Sequence, residues 1–154
     1  MTNLTKTEHI TELLFFAYRD FTADADNLLS EIGLGRAHHR AMHFIDRQPD
    51  LSVAELLELL GITKQSLARV LRNLVEAGYV TQNRNQDDRR RQELRLSKSG
   101  AALISRLRAP QYRRIERALD GQVGDAHVIM RFLEGMLNET SLTQRKRLSD
   151  MDEE

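Results

Sequence analysis

The sequence of 154 residues contains no cysteine, no tryptophan and only two prolines. Without cysteine, a disulfide framework, a thiolate zinc site and a thiol redox switch are all excluded. The sequence also lacks a run of about 18 apolar residues, which a membrane-spanning helix requires. Its N-terminus has no basic stretch followed by an apolar block, so we expect no signal peptide and a cytoplasmic protein.

The length and composition are typical of one globular domain. Apolar residues make up 40% of the sequence and charged residues 30%. A chain of roughly 150 residues buries about two-thirds of its extended surface, which is enough for a single core. We therefore expect residues 1–154 to form one domain.

Charge is distributed unevenly along the chain, although its net value is zero. Residues 1–62 carry a net charge of −5, residues 63–117 one of +9 and residues 118–154 one of −4. A cationic middle between acidic flanks is the usual electrostatic footprint of a surface that binds a polyanion. A basic face that is merely solvated has the same charge, so the charge by itself leaves both interpretations open.

Apolar periodicity and capping residues predict helices interrupted by one β-hairpin. Helical patterns cover residues 7–32, 36–47 and 53–60, and another helix begins after Thr63 and runs to about residue 77. Ser52 and Glu55 form a capping box, and glycines end the helices at positions 61 and 78. Short strands at 79–82 and 93–96 then flank a polar loop. Two helices joined by a tight turn and followed by a hairpin form a winged helix-turn-helix. The predicted fold is therefore mainly α with a small β-hairpin wing.

Two further helices are predicted after the hairpin. Ser97 caps a long helix that runs to about residue 120, with a kink or a division at Pro110. Beyond two glycines comes an apolar stripe at helical spacing, formed by Val128, Ile129, Phe132, Leu133, Met136 and Leu137.

The apolar stripes at both ends of the chain favour a dimer. On the first helix Phe15, Phe16 and Tyr18 widen the stripe beyond what contact with one core requires. An apolar stripe most often faces a core, but here such stripes flank the winged unit on both sides. We therefore predict dimerisation helices in residues 1–33 and 101–145, on either side of a winged lobe in residues 36–100.

The second helix of a helix-turn-helix lies in the major groove of DNA, with its N-terminal residues at the base edges. Because positions 67, 70, 71 and 74 face inward, the predicted outward set comprises Lys64, Gln65, Ala68, Arg69, Arg72 and Asn73. Gln65 has the donor and acceptor that match adenine, and Arg69 has the fork that matches guanine or phosphate. Thr63 and Ser66 suit phosphate oxygens. A solvated helix surface explains any one of these residues, but explains less well a first turn without an acid.

The hairpin loop carries three consecutive arginines, Arg89, Arg90 and Arg91. Because they repel one another, they need an anionic partner, and the minor groove of DNA offers a negative potential. Asp87 and Asp88 are expected to hold one guanidinium in a fixed direction by charge-assisted hydrogen bonds. Paired carboxylates also serve acid–base chemistry or metal binding, but beside arginines on an exposed loop we expect them to be ionised and structural.

The stretch from Leu51 to Gly100 resembles the MarR family of transcriptional regulators. It reads LSVAELLELLGITKQSLARVLRNLVEAGYV and then, at the hairpin, DDRRRQELRLSKSG. The hairpin is similar to the wing pattern of the family, Asp-x-Arg followed by Leu-Thr-x-x-Gly, with Ser97 in place of threonine. Arg72 and Asn73 depart from the family, in which these positions are often acidic and basic, respectively. Residues 34–40 and the stretch ITKQSLARVL are also similar to the PetP-like regulators within the family.

This resemblance implies a triangular homodimer in which two winged units bind a palindromic operator. It further implies that Arg90 enters the minor groove, oriented by Asp88, while the helix after Thr63 lies in the major groove. The predicted partners are double-stranded DNA, a second copy of the chain and a small anionic effector. The predicted DNA contacts are Thr63, Lys64, Gln65, Ser66, Arg69, Arg72, Arg84, Asp88, Arg89, Arg90 and Arg91.

A second candidate site lies at the start of the second helix and comprises Arg36, His38, His39 and Arg40. Four potential cations within five residues are able to hold a carboxylate, and the resemblance implies effector pockets beside this helix. The alternative is a salt-bridged helix start, neutralised by Asp26 or Glu31. Because imidazole titrates near neutrality, the histidines are also candidates for a pH-dependent DNA affinity.

Metal binding is the remaining possibility for the histidines. His39 and His43 stand four residues apart, a spacing that suits Zn²⁺ if other ligands come from elsewhere, such as Glu12 or His127. No further metal-binding motif accompanies them, so we predict neither a metal nor a cofactor.

The leading prediction is a sequence-specific DNA-binding homodimer that acts as a repressor or an activator and responds to a small ligand. One alternative is a winged-helix protein-interaction module, against which the arginine run argues. Another is a metal- or haem-responsive sensor without strong operator binding. An enzyme is not predicted, since the sequence has no Gly-x-Ser-x-Gly motif, no phosphate-binding glycine loop and no paired-carboxylate cleft.

Overall fold

The computed structural model describes residues 5–120 and 126–151. Residues 1–4 and 121–125 of the predicted dimerisation helices lie outside the described residues, as do residues 152–154. In the described ranges the order is α1 (Lys6–Glu31), α2 (Arg36–Arg47), β1 (Leu51–Ser52), α3 (Val53–Leu60), α4 (Lys64–Glu76), β2 (Val80–Arg84), β3 (Gln92–Leu96), α5 (Lys98–Leu119), α6 (Ala126–Gly135) and α7 (Glu139–Asp150). The predicted fold class, mainly α with a β-hairpin wing, is confirmed.

The helices of the winged lobe begin and end where local capping chemistry predicts. The Ser52 hydroxyl accepts the amide N–H of Glu55 at 3.1 Å, and the Glu55 carboxylate accepts the Ser52 amide at 2.9 Å, which completes the capping box. Gly61 ends α3 with φ of 63°, a left-handed conformation in which glycine carries no steric penalty. The predicted bounds of α2 and α3 are therefore confirmed to the residue.

The strands form a three-stranded antiparallel sheet in the order β1-β3-β2. β2 and β3 pair from Val80 opposite Leu96 to Arg84 opposite Gln92, and the loop 85–91 joins them. We call residues 80–96 the wing. The sequence does not predict β1, which pairs Leu51 with Leu94, because two residues are too short to show a strand period.

One hydrophobic core fixes the winged lobe against the helices on either side of it. The largest fully buried side chains come from α1, α2, β1, α3, α4, β3 and α5: Leu29, Met42, Ile45, Leu51, Leu56, Leu67, Leu74, Leu94, Ile104 and Leu107. Because helix α4 and strand β3 contribute to the same core as α5, their outward faces are held in a fixed relation.

The prediction of a division at Pro110 is wrong, because α5 continues through this residue. Contacts on both sides of the proline hold the helix together despite the lost backbone hydrogen bond. Arg108 pairs with Asp46 of α2 at 2.6 Å. One turn later the side-chain amide of Gln111 donates to the carbonyl of Phe21 on α1 at 3.3 Å.

The terminal helices leave much of their apolar surface exposed in the single chain. On α1 only residues near its C-terminal end are buried, whereas Phe15 is 73% exposed and Leu13 65%. No residue of α6 is buried in the described structure. The predicted dimer interface is not tested by a single chain and stays a prediction.

Helix α7 packs against the winged lobe. The sequence pattern predicts no separate helix here, although residues 139–145 belong to the predicted dimerisation segment 101–145. Asn138 caps it by accepting the Ser141 amide N–H at 2.9 Å. The Gln144 amide donates to the carbonyl of Glu58 on α3 at 3.1 Å, and Leu148 is buried. Because α7 is otherwise polar, it lacks the apolar stripe from which a helix is predicted.

Candidate nucleic-acid interface

The turn between α3 and α4 presents the first turn of α4 to solvent. The Thr63 hydroxyl accepts the Ser66 amide N–H at 3.1 Å and donates to the Ser66 hydroxyl at 2.9 Å. Both hydroxyls are therefore used within the cap, while Lys64 and Gln65 beside them are exposed. The turn orients a cation and an amide at a helix N-terminus, where the macrodipole favours an anion.

The outer face of α4 carries cations that no carboxylate neutralises. Lys64, Arg69 and Arg72 are exposed, and within residues 5–120 and 126–151 none of them forms an ion pair. The opposite face is buried by Leu67, Val70, Leu71 and Leu74. An amphipathic helix fixed by its apolar face, with unpaired cations on the other, suits a polyanion.

The wing loop is built on an asparagine turn. The Asn85 side-chain oxygen accepts the amides of Asp87 and Asp88 at 2.9 and 2.8 Å. The Asp88 carboxylate accepts the backbone amide of Arg90 at 3.0 Å. The prediction that Asp87 and Asp88 hold a guanidinium is wrong for the described chain, in which neither carboxylate pairs with an arginine. The carboxylate orients the loop backbone instead.

The three consecutive arginines have different environments. Arg89 and Arg90 are exposed, and so is Arg84 at the end of β2. In the part of the chain that the structure describes, none of Arg84, Arg89 and Arg90 forms an ion pair. Arg91 instead points back to the lobe, where its guanidinium lies 3.1 Å from Glu55 and 3.4 Å from Glu93 and donates to the Asp50 carbonyl at 3.3 Å.

Arg91 therefore fastens the wing to the capping box of α3. The pair with Glu55 raises the pKa of the Arg91 guanidinium, which stays charged. Because two carboxylates already face it, Arg91 offers less uncompensated charge to an external anion than Arg89 and Arg90 do.

Recognition helix and wing tip border one cavity of about 570 Å³. Its lining includes the cations Lys64 and Arg90 as well as the apolar side chains Val53, Leu57 and Leu67. The structure thus brings one exposed cation of α4, Lys64, and one of the wing, Arg90, to the same cavity, which the sequence alone did not establish.

The base of the wing is closed by tight backbone packing at Gly100. The hydroxyls of Ser97 and Ser99 donate to the Gly78 carbonyl at 2.5 and 2.9 Å, and the Ser97 amide donates to the Tyr79 carbonyl at 3.0 Å. A Cβ atom on Gly100 would lie 2.0 Å from the oxygen of that same carbonyl. Glycine is therefore required where α5 leaves the wing.

A second cavity, of about 370 Å³, lies between α1, α2 and α5. Arg36, His39 and Arg40 of the predicted ligand site line it, together with aromatic and polar residues that were not predicted: Tyr18, Phe21, Thr22, Asp26, His43, Phe44 and Gln111. No sequence motif marks these lining residues, because three separate helices contribute them.

The four predicted ligand-binding residues do not converge on one point. Arg36 forms a bidentate pair with Asp26, the closest contact being 2.8 Å, so the salt-bridged alternative describes this residue. Arg40 donates to the Leu60 carbonyl at the end of α3 at 2.9 Å. His38 does not line the cavity and contacts Gly35 and Asn73 instead.

The surroundings of the three histidines of α2 lower the pKa of each imidazole. Burial is the main cause that lowers the pKa of His38, His39 and His43 below the usual 6.5, and Arg108 adds to the effect at His39 and His43. Across the described ranges no group of three or more metal-ligating side chains occurs.

These lowered pKa values predict that the protein is less stable in acid. Below pH 6.5 the histidines of the unfolded chain become protonated, while those of the folded chain, with their lower pKa values, stay neutral. The free energy of unfolding therefore falls with pH until the pKa values of the folded chain are passed. We expect this loss in urea denaturation between pH 7 and 5, and a smaller loss in the His39→Gln/His43→Gln double variant. A wild-type stability that rises towards pH 5 would contradict it.

Comparison with known proteins gives consistent matches. The model of the MarR family matches residues 32–91. The HTH-type transcriptional regulator PetP of Rhodobacter capsulatus is 49% identical over 107 residues, which are 70% of this chain and 64% of that protein. The chain thus matches slightly less than two thirds of the length of this relative.

Solved structures with the same fold include one bound to DNA. A MarR-family transcriptional regulator from Silicibacter pomeroyi matches with a TM-score of 0.71 at 19% identity, over 88% of this chain and 94% of its own. A mutant of MarR from E. coli, complexed with operator DNA, matches with a TM-score of 0.65 at 18% identity, over 89% and 100%. At such identities these likenesses establish the fold.

None of the helices in the described part of the chain has both the length and the apolar character that a membrane span requires.

Proposed function

Because this chain belongs to the MarR family, we propose that it is a sequence-specific DNA-binding transcriptional regulator that acts as a homodimer on a palindromic operator. The observation that carries the proposal is the set of exposed cations on α4 and the wing that form no ion pair in the described chain, two of which, Lys64 and Arg90, border one cavity. The 49% identical relative is named a transcriptional regulator, which supports this function. We also propose a cytoplasmic location. We infer no enzymatic activity.

The DNA-binding residues fall into three groups by their surroundings. Lys64, Gln65, Arg69 and Arg72 are proposed to contact bases and phosphates in the major groove, with Thr63 and Ser66 shaping the first turn. Arg84, Arg89 and Arg90 are proposed to meet the minor groove and its phosphates. Asp88 and Arg91 are proposed to position the wing, since both face the protein itself.

The cavity between α1, α2 and α5 is proposed as the effector site. Its aromatic lining, with Tyr18, Phe21 and Phe44, suits a small aromatic compound. A carboxylate on that compound would compete with Asp26 for the Arg36 guanidinium. Residues of α1 and α2 both line the cavity. A bound compound would therefore change the spacing of the two winged units in the proposed dimer.

Arg90→Ala and Arg91→Ala test the division of labour within the wing. Arg90→Ala should weaken operator binding by about 1–3 kcal/mol and reduce the salt slope by about one, with an unchanged melting temperature. Arg91→Ala should weaken operator binding and should also lower the melting temperature, because Glu55 and Glu93 lose the cation with which they pair.

Fluorescence anisotropy with operator DNA and thermal denaturation measure both effects. Lys146→Ala on α7, which removes one exposed positive charge outside the wing and α4, is the matched control and should change neither. Equal melting temperatures for the two wing variants would contradict the positioning role of Arg91.

A further inference from the structure

His38 connects the start of α2 to the recognition helix α4. Its Nδ1 lies 3.0 Å from the backbone nitrogen of Gly35, and its Nε2 lies 3.2 Å from the side-chain nitrogen Nδ2 of Asn73. The ring is half-buried, at the third position of α2. A single side chain thus satisfies a free amide at the helix start and touches α4 one turn beyond Arg69.

The two contacts fix the protonation state of the ring. A backbone amide can only donate, so Nδ1 of His38 must be unprotonated to accept from Gly35. In a neutral imidazole the proton then resides on Nε2, which donates. An Nε2–H facing the NH₂ of Asn73 would place two donors together, and the oxygen and nitrogen of an amide are interchangeable in shape. We therefore assign the Asn73 amide in the reverse orientation, with its carbonyl oxygen at the position next to Nε2.

A protonated ring does not fit this arrangement. With hydrogen on both nitrogens, Nδ1–H would face the Gly35 N–H, and the start of α2 would lose the acceptor of that amide. The ring must then turn or α2 must shift, and either movement breaks the contact with Asn73. Among the described residues, Arg69 of α4 is the charged side chain that acts on the imidazole, and it repels a proton there.

We propose that His38 is a positioning residue for the DNA-binding surface: its neutral ring holds α4 in register with α2 through Asn73, and protonation releases that hold and weakens DNA binding in acid. The inference rests on the proposed function. It also accounts for Asn73, at which the sequence departs from the family pattern.

The direction of the pH effect distinguishes the positioning role of His38 from a direct attraction between a protonated histidine and DNA. A histidine that merely adds charge near DNA strengthens binding as it becomes protonated. The positioning role predicts the reverse, because the contact to α4 is lost. Burial is the main cause that lowers the pKa of His38, and the charge of Arg69 adds to it, so we expect the loss below pH 6.5.

The test is an anisotropy titration with operator DNA between pH 8.0 and 5.0 at constant ionic strength. We expect wild-type affinity to fall about three- to tenfold across this range, the equivalent of one hydrogen bond. His38→Gln should flatten the profile, because the uncharged Gln oxygen still accepts the Gly35 amide, as in a capping box. Asn73→Asp should move the loss to higher pH, because the new carboxylate favours the protonated ring.

Lys146→Gln, an exposed substitution on α7 outside α2, α4 and the predicted dimerisation segments, is the control and should leave the profile unchanged. An acid loss that persists in His38→Gln, or a wild-type affinity that rises in acid, would overturn the inference.

A second readout needs no DNA. In the ¹⁵N spectrum of the free protein at pH 8, the His38 ring should have an unprotonated Nδ1 and a protonated Nε2, and a protonated Nδ1 would overturn the inference. A wild-type chain that bound no DNA at any pH would instead contradict the proposed function, while the ring spectrum would still report on the contact itself.

Discussion

Replacing Gly100 by alanine is expected to destabilise the protein by about 3 kcal/mol or more, the largest single-site effect on stability that the structure predicts. The added Cβ would lie 2.0 Å from the Tyr79 carbonyl oxygen. This neighbour is backbone and cannot turn away, and the same oxygen accepts the Ser97 amide at 3.0 Å. To make room, the base of the wing would have to separate from α5.

Urea denaturation of Gly100→Ala and of Gly135→Ala checks this expectation. Gly135 ends α6, and a Cβ there would meet no atom within 4 Å, so the same chemical change should be neutral or slightly stabilising. Gly100→Ala should also weaken DNA binding, because the displaced α5 would no longer hold strands β2 and β3 in place. Equal midpoints for the two variants would show that the packing at Gly100 is not tight.

Acidic substitutions on α1 and α6 are expected to convert a dimer into monomers. Phe16 and Leu133 are about half exposed in the single chain, and both lie in the apolar stripes of the terminal helices. Burying a carboxylate in place of such side chains costs several kcal/mol, so Phe16→Glu/Leu133→Glu should weaken dimerisation by about a hundredfold or more.

Sedimentation velocity at micromolar concentration measures the oligomeric state. Met151→Glu, which places the same charge on an exposed apolar residue after α7, is the matched control and should remain dimeric. The monomeric variant should also bind a full operator more weakly, because two half-sites are no longer occupied by one linked pair. A double variant that sedimented as a dimer would contradict the interface.

The elements of the winged lobe could be predicted because their signals are local. Ser52 with Glu55, Thr63 and Gly61 act on atoms within four residues of themselves, so the bounds of α3 and the start of α4 follow from the sequence. By contrast, β1 exists only because Leu51 meets Leu94, which lies 43 residues later in the chain.

The candidate interface was predictable as a set of residue types, but the role of each residue was not. Arg90 and Arg91 are neighbours of identical chemistry, and only the fold places Glu55 beside Arg91. No local pattern reveals that Asp88 orients the Arg90 backbone and not a guanidinium. His38 belonged to a local cluster of four potential cations, yet its contact with Asn73 spans 35 residues.

Specific DNA binding through the cationic face of α4 and the wing is the central claim. The decisive measurement is the fluorescence anisotropy of labelled DNA from upstream of the protein's own gene, against scrambled DNA of equal length, across a salt series. We expect tighter binding to the upstream DNA and a steep fall of log affinity with log salt, since several phosphates are contacted. No binding to either DNA, even at low salt, would contradict the claim.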